Sequence, residues 1–207
     1  MRAAAKIPKS AWSSLRLKDH VRPGLRVLFV GINPGVRSAM TGHHFAGYSN
    51  RFWKLLHDSR LVPDLIWYEH DQRLPQWGLG LTNLIARPSP GIDDLLPWEY
   101  VKGWKLLDAK IRRYRPAVVA LVGVTVYRAI LPLLDRTTPA DIRRSVIGPQ
   151  RQTIHGARVF VLPNPSGRNA NFTYAEMLQA FVRLRRWTQR ICARMVEIGC
   201  RSTRDGG

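Results

Sequence analysis

The chain has 207 residues and a mass of 23.6 kDa, of which 45% are hydrophobic, enough for one domain with a buried core. Lys and Arg number 33 against 14 Asp and Glu, a formal charge of +19 that argues against an acidic solubilising protein and for a polyanionic partner, nucleic acid first. Two cysteines, Cys192 and Cys200, exclude a four-cysteine zinc site or iron–sulfur cluster within the chain.

Eight positions apart near the end of the chain, those cysteines make no disulfide framework, and an intracellular setting is expected. The longest apolar run, residues 117–122, is far short of the roughly 18 residues a membrane span needs. Of the basic residues 26 are arginine, a skew that genomic base composition can also produce.

Residues 1–22 read as a basic N-terminal arm, faintly similar to a transit peptide over residues 1–18, which carry no acid. The body is expected over 23–196, followed by a flexible tail at 197–207. Residues 26–30 (RVLFV) form an apolar run ending in Gly31, the pattern of a strand that feeds a tight turn. Ser49-Asn50 can cap a helix through Phe52, Trp53, Leu55 and Leu56 that ends before Pro63. Residues 80–84 read as a second strand, followed by the loop Arg87-Pro88-Ser89-Pro90-Gly91.

A long helix starts near Pro97, with Trp98, Val101, Trp104, Leu107, Ile111 and Tyr114 on one face, and stops at Pro116. Residues 117–123 (AVVALVG) read as a parallel strand buried on both faces, with a helix over 124–134 behind it. Residues 158–162 read as another strand running into Pro163. A final helix from about Tyr174 to Met195 carries Met177, Phe181, Leu184, Ile191 and Met195 on one side. Strands alternating with helices predict a three-layer α/β/α sandwich around a short, mostly parallel central sheet, with its site at the C-terminal strand ends.

Two loops fall there. Gly31-Ile32-Asn33-Pro34-Gly35 is a rigid turn with backbone N–H groups able to face a ligand, but it has neither the Gly-Lys-Ser/Thr of a phosphate loop nor GxGxxG. Asn164-Pro165-Ser166-Gly167-Arg168-Asn169 mixes small hydrogen-bonding residues with one arginine at the tip. Each loop alone reads as an ordinary turn before a helix; the pair is more specific.

Together with Gly42-His43-His44-Phe45, Asn50-Arg51-Phe52-Trp53 and Gly80-Leu81-Thr82-Asn83, these loops resemble the mismatch-specific uracil-DNA and thymine-DNA glycosylases of the uracil-DNA glycosylase superfamily. The resemblance covers about residues 23–184 and implies the same α/β/α fold. It implies that Asn33 positions the water that attacks the sugar, and that Gly31, Ile32, Phe45 and Asn50 form the base pocket. Backbone N–H groups near Ile32 and Phe45 would bind the base's oxygens, and Phe45, where some relatives carry tyrosine, would stack on the flipped base. Asn50 either contacts the base or caps the Phe52–Leu56 helix.

His43 and His44 are candidates for catalytic assistance, one acting on water or the sugar backbone and the other structural; adjacent histidines in an extended segment point opposite ways, so no shared metal is expected. Asn164, Pro165, Ser166, Gly167, Arg168 and Asn169 would fill the space of the flipped nucleotide and read the opposite base. Bacterial mismatch-specific relatives carry leucine where Arg168 stands; arginine is closer to the thymine-DNA glycosylase pattern.

The matched motifs contain no lysine, which predicts a monofunctional glycosylase without Schiff-base chemistry, and the resemblance implies no nucleotide or metal cofactor. The partner implied is double-stranded DNA with G·U or G·T mispairs, met by a monomer and not by a membrane protein. Two further readings remain open at this point: hypoxanthine or single-stranded uracil as substrate, or a DNA-binding relative without catalysis.

Overall fold

A computed structural model describes residues 7–134 and 147–202, with side chains to residue 194 in the last helix. Five strands, β1 (Val27–Gly31), β2 (Leu79–Asn83), β3 (Val118–Val122), β4 (Gly148–Ile154) and β5 (Ala157–Leu162), form one sheet in the order β2-β1-β3-β5-β4. All neighbours are parallel except β4, which runs antiparallel to β5 at the edge. The three-layer α/β/α sandwich with a mostly parallel central sheet is therefore the fold.

The apolar runs dictate this arrangement. Every residue of β1 and β3 is buried, as strands covered on both faces must be. A short α1 (Val36–Thr41) follows the first loop. On one face α2 (Phe52–Asp58) and α5 (Tyr174–Ser202) supply Phe52, Leu55, Leu56, Met177, Phe181 and Leu184 to a core with Phe29, Ala120 and Phe160. On the other, α3 (Pro97–Tyr114) and α4 (Val124–Ile130) bring Leu107, Ile111, Val126 and Ile130 against Leu28, Val119 and Val161. Among the described residues no helix is long and apolar enough to cross a membrane.

Several elements differ from the sequence expectation. Of the face assigned to α3, Leu107 and Ile111 are buried, whereas Trp98 is 58% and Val101 44% exposed. The cause is Gly103: a Cβ there would collide with the Leu84 carbonyl, so the helix comes up against the backbone of the segment just after β2 at that point. Its contact stripe is thereby Tyr100, Gly103, Trp104, Leu107 and Ile111, with Trp104 on the expected face half-buried against the core. Helix α4 stops at Ile130, and a 3-10 turn, Leu131–Leu133, carries Pro132. Strand β4 has no apolar signal in the sequence, because its polar, largely exposed residues and Pro149 suit only a sheet edge. Helix α5 continues to Ser202, past the expected start of the tail; the Met195 side chain lies outside the described residues, as do residues 1–6 and 203–207.

Part of the expected N-terminal arm lies against the body. Trp12 is buried, and His20 exchanges two backbone hydrogen bonds with Leu81, of 3.0 and 2.9 Å, extending the sheet at β2. Asp19 pairs with Lys110 and accepts a 2.7 Å hydrogen bond from the Thr82 hydroxyl. Thr82 is thus a satisfied strand residue, buried beneath this strap.

Candidate active site

At the C-terminal end of β1 the chain is sewn to the segment after β2. Leu84 and Ile85 donate to the Gly31 and Ile32 carbonyls at 2.8 Å each, and Ser89 donates to the Pro34 carbonyl at 3.1 Å. Between these bonds the Asn33 side chain is gripped at one end. Its Nδ2 donates to Ser89 Oγ at 2.8 Å, to the Arg87 carbonyl at 3.1 Å and to the Pro34 carbonyl at 3.2 Å. The Oδ1 has no partner among the described residues, so the amide presents a fixed acceptor. A neutral amide held this way can accept a hydrogen bond from a water and orient its lone pair without removing the proton.

The grip has its own support. Arg87 forms a forked pair with Glu99, Nε to Oε1 at 2.7 Å and Nη2 to Oε2 at 2.6 Å, and donates to the Asp94 carbonyl at 2.7 Å. The Arg87 hydrogen bonds hold the buried Glu99 carboxyl below its ordinary range, and burial opposes them. Glu99 also accepts from the Leu96 N–H at 2.9 Å, so one carboxylate starts α3 and braces the loop behind Asn33. Sequence reasoning assigns no role to Ser89, Arg87 or Glu99; the only signal is the Pro-Ser-Pro-Gly turn and an acid three residues past Leu96.

Phe45 is held at φ 53°, a region that β-carbon sterics disfavour. Its ring stacks on Phe52 with centroids 4.0 Å apart and planes 19° from parallel, and Phe52 is keyed edge-on into Phe29 at 5.3 Å. A Cβ on Gly31 would lie 3.7 Å from Phe45 Cζ and 2.5 Å from Asn83 Oδ1. The bare Gly31 backbone is therefore a floor between an aromatic ring and a carboxamide. Asn83, matched from sequence only as part of a segment, has no side-chain hydrogen bond among the described residues. The N–H groups of Ile32 and Phe45 likewise have no acceptor there.

Asn50 plays a structural part. Its Oδ1 accepts the Phe52 N–H at 2.9 Å, one residue ahead of the α2 N-cap Arg51, and its Nδ2 has no partner among the described residues. His43 and His44 do diverge. The Nδ1 of His43 lies 3.1 Å from Asp71 Oδ1, while the His44 ring turns to the Lys18 carbonyl, Nε2 to O 3.0 Å. Burial pushes the His44 imidazole pKa down, so the ring is neutral and donates through Nε2.

Asp71, absent from the sequence expectations, joins these pieces. It is 1% exposed and takes the His44 N–H at 2.9 Å, His43 and, at 3.1 Å, Nε2 of His20 from the N-terminal strap. Burial pushes its carboxyl up, but the hydrogen bonds from His20, the His44 N–H and His43 outweigh that and hold it below the usual range.

The second loop is internally tied. Asn164 Oδ1 accepts the Ser166 N–H at 3.0 Å, and Asn169 Nδ2 returns to the Asn164 carbonyl at 2.8 Å. The Pro165 carbonyl accepts the Arg51 N–H at 3.0 Å, which joins this loop to the start of α2. Arg168 is exposed at the tip, its N–H on Ser166 Oγ at 3.3 Å and its Nη1 3.5 Å from the Pro90 carbonyl. The arginine thus reaches from the second loop to the turn that carries Ser89.

Gly167 sits so close to Ser49 that a Cβ would overlap both its side chain and its carbonyl. Gly167→Ala is therefore expected to displace the loop. A melting temperature within a few degrees of the parent, with shifted amide resonances over residues 164–169, is the outcome to measure by thermal unfolding and NMR.

The loops at residues 31–35, 42–51, 83–91 and 164–169 converge at one end of the parallel sheet. The model of the family described as "Uracil DNA glycosylase superfamily" matches residues 18–186. The chain is also similar to a G/U mismatch-specific uracil DNA glycosylase of Schizosaccharomyces pombe, 36% identical over 176 residues, which is 78% of this chain and 54% of that protein. The chain thus spans about half the length of that relative. The family match takes in all four loops and the whole sheet, and the chain belongs to the uracil DNA glycosylase superfamily.

Proposed function

We propose that this chain is a monofunctional DNA N-glycosylase that hydrolyses uracil from G·U mispairs and leaves an abasic site. One observation carries the reading: the Asn33 amide is fixed through Nδ2 and leaves Oδ1 open to a water. The G/U specificity in the name of the Schizosaccharomyces pombe relative supports the choice of substrate.

In this reading the target nucleotide leaves the duplex, at a cost of a few kcal/mol that is smallest at a mispair. Its base slides over Gly31, one face on Phe45, whose other face is backed by Phe52. The unpartnered N–H groups of Ile32 and Phe45 meet the base's oxygens, and the Asn83 carboxamide meets its edge. These donors stabilise the charge that develops as the C1′–N1 bond breaks and its electron pair passes to the base.

The sugar becomes oxocarbenium-like, the water held by Asn33 Oδ1 adds to C1′, and once the C–O bond forms its proton passes to solvent water, from which the departed uracil anion is protonated. None of the described residues puts a carboxylate in hydrogen-bond contact with Asn33, so the reaction depends on a leaving group as stable as the uracil anion. Arg168 enters the space left by the nucleotide, where a planar guanidinium can stack and also reach a phosphate.

A substrate panel tests this. Purified chain without added cofactor is expected to make alkali-sensitive sites in labelled G·U duplex faster than in A·U, G·T, single-stranded uracil or hypoxanthine substrates. Cleavage confined to hypoxanthine or to single strands would replace the proposed substrate, and no cleavage on any of them would remove the enzyme reading.

A further inference from the structure

One surface takes no part in the pocket. Along α5, Arg183, Arg186, Arg190 and Arg194 recur every three or four residues, and all four are exposed. The opposite face of the helix carries Met177, Phe181 and Leu184 into the core, so the arginine stripe faces outward by construction. Arg183, Arg186 and Arg190 line a hollow of about 260 Å³ with Trp187, Phe160 and Pro149. Arg158 of β5 adds a further guanidinium 5.9 Å from the centre of the Trp187 ring.

None of these five arginines is paired with a carboxylate among the described residues. Arg87, whose charge is matched by Glu99, shows the contrast. Uncompensated like charges on one helix face repel each other and cost stability unless a polyanion covers them.

The stripe also has a direction. Arg183 lies against Gly148, the register partner of Val161 near the C-terminal end of β5, whereas Trp187 meets Arg158 at the other end of that strand. From Arg183 to Arg194 it runs for about 16 Å along the helix axis, away from the loops that form the pocket. A duplex that feeds a base to Asn33 must cover those loops, and the stripe leads from Arg183, at their end of the sheet, out of that footprint towards Arg194.

We propose that the α5 stripe is a second DNA contact, which holds the phosphate backbone of undamaged duplex outside the lesion footprint. This rests on the reading of the chain as a DNA glycosylase. Each strand of duplex DNA presents a charge every ~3.4 Å, so about 16 Å of stripe faces about five phosphates of one strand, and guanidinium forks match phosphate oxygens two at a time. The contact is independent of sequence, keeps the enzyme on DNA between lesions, and leaves the chemistry to the pocket.

The test compares the whole chain with an Arg183→Gln/Arg186→Gln/Arg190→Gln variant and with the matching triple lysine variant, all checked for equal melting. Binding to an undamaged duplex of about three helical turns is measured across a salt series, and single-turnover excision on a short saturating G·U duplex beside it. The glutamine variant is expected to lose at least about tenfold in affinity and to flatten the log–log salt slope by about 3, while the lysine variant keeps the parent slope and excision stays within about twofold.

An unchanged slope in the glutamine variant, or failure of the parent to bind undamaged duplex, overturns the proposal. So does excision on the short duplex that falls in step with affinity, because the arginines then belong to the lesion footprint. If the parent excises nothing but the slope still flattens, the glycosylase reading fails and the second contact stands.

Discussion

Asn33→Ala is expected to lower single-turnover excision of uracil from G·U duplex by about a hundredfold, a loss of roughly 2.7 kcal/mol of barrier lowering. The magnitude follows from orientation. A water held by one acceptor at C1′ is a near-attack arrangement, and alanine removes both the acceptor and the fixed geometry. Binding of the mispaired duplex should change little, because the amide's other end touches only Ser89, the Arg87 carbonyl and the Pro34 carbonyl.

Ser89→Ala is the sharper companion. It leaves Asn33 in place but removes the 2.8 Å anchor, and is expected to cost about tenfold. In an Asn33→Ala background the same change should cost almost nothing, since two residues acting through one interaction are not additive. Additive losses in the double variant would show that Ser89 works through something other than the amide, and unchanged turnover in Asn33→Ala would remove the mechanism.

Asp71→Asn is expected to lower stability by about 3 kcal/mol, the scale for leaving donors to a buried carboxylate half-satisfied, and to lower the melting temperature by about 6–12 °C. Two segments meet at this carboxylate: the strap through His20, and the loop of Phe45 through His43 and the His44 N–H. The pH dependence has a definite sign. The carboxyl's pKa is lower in the folded chain than the unfolded value of about 3.9, so its contribution is complete above about pH 4 and is lost as the pH falls through the folded value. The gap in melting temperature between parent and variant should therefore be full at about pH 6 and close below about pH 4. A gap that stays constant into acid would assign the stabilisation to shape and not to charge.

Much of the frame is legible in the residues. Strands β1, β3 and β5 announce themselves as apolar runs, and the loops at residues 31–35 and 164–169 as glycine, proline and asparagine clusters at strand ends. These signals are local: each depends on a residue and its near neighbours, through periodicity and turn chemistry. The same holds for Asn50, whose bond to the Phe52 N–H spans two positions. Helix α3 shows the limit, because its buried stripe is set by the close approach of Gly103 to Leu84, which no hydrophobic pattern encodes.

By itself, then, the sequence determined the layered α/β architecture, the two loops and an uncharged amide where the chemistry was sought. Only the tertiary structure decided how that amide points. Two partners of Asn33 lie 54 and 56 positions away, and Asp71 is reached from 27 and 28 positions upstream as well as from His20 in the strap. Hydrogen bonds between single polar groups so far apart have no periodicity to betray them. They are fixed by which strands stand side by side, here β1 beside β2, and that adjacency exists only once the sheet is assembled.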